Sequence, residues 1–402
     1  MEVILIHYSY PPVIGGVESI LRQHAALFSR HGHDVTVLAG SGEPDAGARV
    51  EIVPELAPSH PLRAAMDAEL AAGAPGPAFA SLQRQLATFF AVRLAAADAV
   101  FVHNVLTMPF QLAATAALSA WAASRPRPRI VQWIHDLAVL NPDYAFAHPD
   151  VFPWNLLRQP PAGVRHVAVS GLRCRQFEEL TGFAGCTVVP NGIDAAETLA
   201  LTPPVAALAA RSGWPGRWPV LFHPTRLLRR KNVELGIDVT AALRDAGERP
   251  LYIVTAASDP HHAPSRAYAA SLRQRVRELQ LEDDVVLAQE HFPVGDADVA
   301  AFYRMADALF FPSRQEGFGL PLVEAAVNRL PVFASRIEPL TDLGDAHWFV
   351  PDAPAVEIAA LVRSTLGNDT PHMARRAALA RFHWEMLYPR FLAPLLDGAP
   401  VG

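Results

Sequence analysis

A chain of 402 residues with 51% hydrophobic side chains is too long for one ordinary core and apolar enough to be globular, so two domains are expected. A formal net charge of −6 argues against broad nucleic-acid binding. Cys174 and Cys186 fit neither a C-x-x-C nor a zinc pattern, and apolar stretches are too short for a membrane span or are broken by charges such as Arg93 and Asp98. With no signal peptide, the expectation is a soluble cytoplasmic protein, with peripheral attachment at the inner face of a membrane left open.

Val3–Ile6 reads as a first buried strand, His7–Gly16 as a loop, Val17–Phe28 as a helix stopped by Gly32, and Asp34–Leu38 as the next strand. Strand, loop, helix and strand in that order make a βαβ unit and imply a parallel sheet. Gly15 and Gly16 stand where a phosphate or sugar would meet a helix N-terminus, although a Gly-Gly pair alone is more often a tight turn. There is no G-x-G-x-x-G, so the dinucleotide fingerprint is absent. From 51 to 97 the pattern is weakest: a Gly/Pro loop at Gly73–Pro77, then an amphipathic helix over Ser81–Leu94. That region could shape an acceptor site, but a plain surface helix pair is the simpler reading.

Ala99–Asn104 and Ile130–Asp136 are strands ending in polar residues. Parallel sheets bind ligands at the C-terminal ends of their strands, which places His103, Asn104, His135 and Asp136 on one rim. Short strands at Val167–Ser170 and Cys186–Pro190 follow, the latter running into the turn Pro190-Asn191-Gly192-Ile193-Asp194, where Asn and Gly supply left-handed conformations. A Pro/Ala-rich linker is expected over 195–219. A strand from Val220 then opens onto Arg226, Arg229, Arg230 and Lys231, a local anion site in an acidic chain. Further strands are expected at Leu251–Thr255 and Val285–Leu287, with a charged helix over Ser265–Leu281. His261 and His262 have no third ligand at suitable spacing and read as loop. Asp296-Ala297-Asp298 reads as a helix start, not a metal loop.

The most informative stretch is Ser313–Ala325, after the buried strand Asp307–Pro312 and before another at Arg329–Ser335. Pro321 suits a first helical turn, and Gly317 and Gly319 bare the backbone of the strand-to-helix turn for an anion. Glu316 and Glu324 bracket it. Eight helical residues rise about 12 Å, which is too far for a glycosidase pair at roughly 5 to 9 Å. Two carboxylates with phosphate-binding amides between them suit one long polyhydroxylated ligand, a nucleotide-sugar.

The sequence Glu316-Gly317-Phe318-Gly319-Leu320-Pro321-Leu322-Val323-Glu324-Ala325 resembles the signature of retaining GT-B glycosyltransferases of family 4. Gly15-Gly16, His135, the 190–194 turn and Arg226/Lys231 follow the family order. The resemblance implies an α/β chain, GT-B, with two Rossmann-like parallel-sheet domains facing a central cleft. Residues 1–194 would be mainly acceptor-binding, 220–370 would bind the nucleotide-sugar, and a helix within 371–402 would cross back to the first domain. Donor-binding residues would be Gly15, Gly16, Arg226, Lys231, Glu316, Phe318, Gly319, Leu320 and Glu324, and the catalytic set His135, Glu316, Arg226 and Lys231. The resemblance implies transfer of a hexose from a UDP- or GDP-hexose to a sugar, polysaccharide, lipid-linked or small-molecule acceptor. No metal or other cofactor and no nucleic-acid partner is expected. The chain departs from the family's G-R-L-x-x-x-K-G at Thr225 and Asn232, and carries Asn328-Arg329 where a small residue and Gly are usual. Alternatives are a GT-B epimerase or phosphorylase, or a non-catalytic nucleotide-sugar-binding protein. The last would be marked by loss of Arg226, Lys231, Glu316 or Glu324, and all four are present.

Overall fold

Short apolar runs become strands paired in parallel, in two separate sheets. The computed structural model describes residues 1–44, 48–124, 128–146, 148–256 and 263–401, without the side chains of 263–265. The chain divides into one unit of Met1–Ile193 with Trp384–Gly402 and a second of Asp194–His383. These are the two Rossmann-like domains that the GT-B class calls for.

In the first unit the strands are β1 (Glu2–His7), β2 (Asp34–Ala39), β3 (Arg49–Ile52), β4 (Ala99–His103), β5 (Arg129–Ile134), β6 (Val164–Ala168) and β7 (Thr187–Val188). Their order is β3-β2-β1-β4-β5-β6-β7, so the sheet changes direction between β1 and β4. Alternate residues of β1 serve opposite faces. Ile4 and Ile6 pack with Leu82, Leu86 and Phe90, while Val3 and Leu5 pack with Leu21, Phe28, Trp384 and Leu392. Burial on both faces is why β1 reads as a continuous apolar run.

The second unit holds β8 (Val220–His223), β9 (Leu251–Val254), β10 (Val285–Leu287), β11 (Ala308–Phe311), β12 (Val332–Ser335) and β13 (His347–Phe349), ordered β10-β9-β8-β11-β12-β13. Here the switch falls between β8 and β11, which pair through Ala308 with Leu221 and Leu309 with Phe222. In open parallel sheets the crevice beside such a switch is the preferred ligand position.

Two expected boundaries need correction. Residues 195–219 are not a linker: they hold helices Ala195–Thr198 and Pro203–Arg211, with Val205, Leu208, Ala209 and Trp214 buried in the second unit's core. The Ala-rich run conceals an apolar stripe at helical spacing. The return to the first unit begins at Trp384, not 371. Helix Thr370–Phe382 stays with the second unit, where Trp218 Nε1 donates to His372 Nε2 (3.0 Å) and Arg375 donates to the carbonyls of Arg304, Met305 and Ala306. Gly192 makes room for the return, because a Cβ there would lie 2.5 Å from the Trp384 ring.

The helix expected over Ser81–Leu94 spans Pro77–Arg93, with Pro77 in the first turn. Helix Leu112–Ala123 had no periodic signal, because nearly all of its faces are buried. Among the described residues no helix is long and apolar enough to cross a membrane, and no cluster of three or more His, Cys, Asp or Glu could hold a metal. His261 and His262 lie outside the described residues.

Candidate functional site

The β8–β11 pairing lays two loops side by side in the second unit. Arg314 N donates to Arg230 O (2.7 Å), and the Arg230 guanidinium donates to Gln315 O (3.0 Å). The two departures from glycine are absorbed locally. Thr225 N donates to Thr255 Oγ1 (2.7 Å), and that hydroxyl donates back to Thr225 O (2.8 Å). Asn232 takes the left-handed conformation itself (φ +55°), which Asn tolerates better than most residues, and its amide donates to Pro351 O (3.3 Å).

The adjacency brings Lys231 to Glu316. Nζ lies 2.5 Å from Oε1, with the side chains 13% and 7% exposed, and Arg230 Nη1 stands 3.7 Å from Oε2. The ammonium also sits 5.4 Å from the Phe311 ring centre. Arg226 is exposed, with no side-chain partner among the described residues. It lines a cavity of about 380 Å³ together with Thr225, Lys231, Gln289, Val294 and Val299. An exposed guanidinium beside a paired ammonium gives this crevice the charge to hold an anion.

Gly319 leads helix Leu320–Val327 at φ +106°, and a Cβ there would meet Leu340 Cδ2 at 2.4 Å, so conformation and space both require glycine. Gly317 differs: a Cβ at that position meets nothing within 4 Å. Sterics within the chain therefore do not explain it. Phe318 and Leu320 are exposed around the turn. No side chain caps the helix N-terminus. Farther along, Glu324 Oε2 accepts from Tyr303 OH (2.8 Å), and both line a second cavity of about 350 Å³ with Val299, Val323 and Val327. Val299 borders both cavities. Burial, then the Glu324 carboxylate, push the Tyr303 phenol far up, so its hydroxyl stays a donor. Sequence reasoning missed Tyr303, because its contact with Glu324 joins two helices that no spacing rule relates.

In the first unit the register pairs Ile6 with Val102 and His103 with Trp133, bringing the ends of β1, β4 and β5 together. His7 Nδ1 donates to His103 O (2.8 Å). Asn104, left-handed at φ +59°, accepts at Oδ1 from the amides of His135 (2.8 Å) and Asp136 (3.3 Å). Asp136 is held by Arg173 at 2.6 Å. The His135 ring is 9% exposed, and its Nε2 lies 3.2 Å from His103 Nδ1. Burial first, then the proximity of His7, bring His135 down to about 3, against an opposing pull from Glu18. Burial alone would push Glu18 up, but the nearby His7 (Nε2 at 3.8 Å) and a hydrogen bond from Ser9 (2.6 Å) outweigh it and leave the carboxyl at about 2.

Gly15 is extended (φ −170°), and a Cβ there would meet the Glu18 carboxyl; at Gly16 it would meet nothing. Neither glycine is demanded by the backbone. The structure thus places Arg226 and Lys231 on one crevice, with Glu316 paired to Lys231 and Glu324 at the neighbouring cavity, and separately gathers His135 with His103, His7 and Glu18.

Residues 14–197 match the family model described as Glycosyltransferase Family 4, and residues 206–380 match that described as Glycosyl transferases group 1. A D-inositol 3-phosphate glycosyltransferase of Kineococcus radiotolerans is 33% identical over 234 residues, covering 55% of this chain and 53% of that protein. An O-antigen chain mannosyltransferase of Salmonella typhimurium is 41% identical over 70 residues, covering 17% and 19%. The chain thus spans about half, or less, of the length of these curated relatives. Among solved structures, a sucrose-phosphate synthase of Thermosynechococcus elongatus aligns over 99% of this chain and 98% of its own at TM-score 0.38 and 17% identity. Anabaena HepE in complex with UDP and glucose aligns over 99% and 100% at TM-score 0.36 and 20% identity.

Proposed function

We propose that this chain, a GT-B protein like the family 4 glycosyltransferases on the strength of the two successive matches, is a retaining hexosyltransferase. It takes a UDP- or GDP-hexose and transfers the sugar to an acceptor hydroxyl. The observation that carries the reading is the crevice at the β8–β11 switch, lined by Arg226 and by Lys231, which pairs with Glu316 of the turn that leads into the Gly319-led helix.

A diphosphate in that crevice would be gripped by Arg226 and would compete with Glu316 for Lys231. Glu316, released from its pair, would accept a hydrogen bond from a sugar hydroxyl. Glu324, oriented by Tyr303, would accept from the ribose. Phe318 and Leu320 are exposed at the turn, and their backbone N–H groups would meet the phosphates. His135, neutral at working pH, would orient a sugar hydroxyl and carry no charge.

In the reaction the C1–O bond to the diphosphate breaks toward an oxocarbenium-like state, and the two cations stabilise the departing charge. The acceptor oxygen bonds to C1 on the same face. Its proton passes to the leaving phosphate oxygen, which retains the anomeric configuration and releases the nucleoside diphosphate. The cations supply the positive charge for which other enzymes use a metal ion, so turnover should persist in a chelator.

The test is a thermal-shift panel of UDP, GDP, ADP and their hexose conjugates, with and without Mg²⁺, followed by NMR of the product anomer. A ligand that binds only the native state raises Tm by mass action. One nucleotide family should shift Tm without Mg²⁺, and its sugar should arrive with the donor's anomeric configuration. An inverted product would overturn the mechanism. Turnover without an acceptor would indicate an epimerase, turnover with free phosphate a phosphorylase, and no shift with any donor would sink the donor assignment.

A further inference from the structure

His103 and His135 end neighbouring strands β4 and β5, and their rings stack with centroids 5.5 Å apart at 28°. His103 is fully buried. Burial first, then the neighbouring histidines, place it well below the ordinary range, so both rings are neutral near pH 7. Contact at 3.2 Å between His103 Nδ1 and His135 Nε2 requires one N–H and one lone pair.

Two assignments satisfy that contact. If His135 donated, His103 would carry its own proton on Nε2, which is buried without a partner. A neighbouring ring is His24, 5.4 Å from His103 between centroids, whose two nitrogens are likewise buried without partners. His24 is itself packed T-shaped against Trp133 (4.6 Å) and Trp384 (4.7 Å), and no described group accepts from His103 Nε2. An orphaned buried N–H is rarer than an under-used acceptor. If His103 donates instead, its Nε2 holds only a lone pair. His135 then keeps its proton on Nδ1, which is not among the enclosed unpartnered atoms.

We propose that His103 is a positioning residue that donates from Nδ1 to His135 Nε2 and locks His135 in its Nδ1–H tautomer. His135 would then meet a sugar oxygen as a hydrogen-bond donor and not as a base. Only this last role rests on the glycosyl-transfer reading; the tautomer does not.

The test labels the full chain with ¹⁵N-histidine and reads the two-bond ¹⁵N–¹H correlations, with His135 assigned by its loss in His135→Asn. His135 should be protonated on Nδ1 and bare on Nε2. His103→Leu should release it to exchange between tautomers. His103→Asn, whose amide N–H can take the place of Nδ1–H, should restore the lock. Turnover should fall about tenfold or more in His103→Leu, with little change in donor KM, and should recover in His103→Asn. A wild-type His135 protonated on Nε2 would overturn the proposal. So would an unchanged His135 spectrum in a folded His103→Leu chain. If His103→Leu does not fold, the wild-type spectrum decides alone. A locked tautomer in a protein that transfers no sugar would leave the lock standing and sink the glycosyltransferase reading.

Discussion

The two units share a topology and differ in what they place at the switch point. In the second, between β8 and β11, the groups are charged: an exposed Arg226, and a Lys231–Glu316 pair at 2.5 Å beside Arg230. In the first, between β1 and β4 and on to β5, most are buried imidazoles driven neutral by burial, His24 and His135 down to about 3 and His103 well below its ordinary range, beside a carboxylate, Glu18, held at about 2. One fold therefore offers an anion two different receptions. On the proposed reading a diphosphate would gain from the cationic crevice, where an exposed Arg226 stands near a Lys231 already paired with Glu316. On the same reading a neutral sugar would gain from the hydrogen-bonding edges of uncharged imidazoles.

The hardest test of that contrast removes the charge. Arg226→Ala with Lys231→Ala should cut kcat/KM by about a thousandfold or more, since both phosphate contacts and the stabilisation of the leaving group are lost. The melt should show a smaller effect. Lys231→Ala strips Glu316 of its near partner but leaves Arg230, so the second unit should lose about 1 to 3 kcal/mol. Equal kinetics in wild type and variant would mean the crevice is not where the donor's charge is held.

The glycines sharpen the contrast at a smaller scale. Gly319→Ala forces a side chain into left-handed backbone and against Leu340, and should cost about 1 to 3 kcal/mol in urea unfolding. Gly317→Ala and Gly16→Ala meet nothing and should stay within about 0.5 kcal/mol. If these last two also lose nucleotide affinity, close approach of a ligand to bare backbone explains them. If they lose stability instead, the open space around them is misread.

These glycines also show how far the sequence is legible. The strands were readable because burial on both faces makes continuous apolar runs, and β1, β5, β9 and β11 fall within a residue or two of expectation. The Glu316–Glu324 motif was readable because its chemistry is local in the chain. Two kinds of feature were not. Helix Leu112–Ala123 and the 195–219 segment are rich in alanine, which packs on any side and leaves weak periodicity. Contacts across elements, such as Tyr303 with Glu324 and His24 with Trp133, are set by sheet register and helix packing. Proximity of that kind has no trace in linear spacing, and it supplies the tuning around the motif residues.

A last expected effect, smaller than the loss of the crevice's charge, is thermodynamic and belongs to the first unit. His24 is buried against two indole rings with both nitrogens unpartnered, close to His103 and near His135. Burial, then the proximity of His135, bring it down to about 3 in the folded chain, against about 6.5 when unfolded. Between those values the unfolded chain binds a proton that the folded chain does not, so stability is fully present above about pH 6.5 and is lost as pH falls toward 3. Moving from pH 7.5 to 5.5 should cost about 1 kcal/mol from His24 alone. His24→Phe keeps an aromatic ring against the same indoles and removes the titration. Its stability should fall with pH by about 1 kcal/mol less than wild type over that interval, read from hydrogen exchange of the β4 and β5 amides. An unchanged pH slope would mean that His24 is solvated or partnered in solution. The imidazole face of the first unit would then be less different from the charged face of the second than the structure shows.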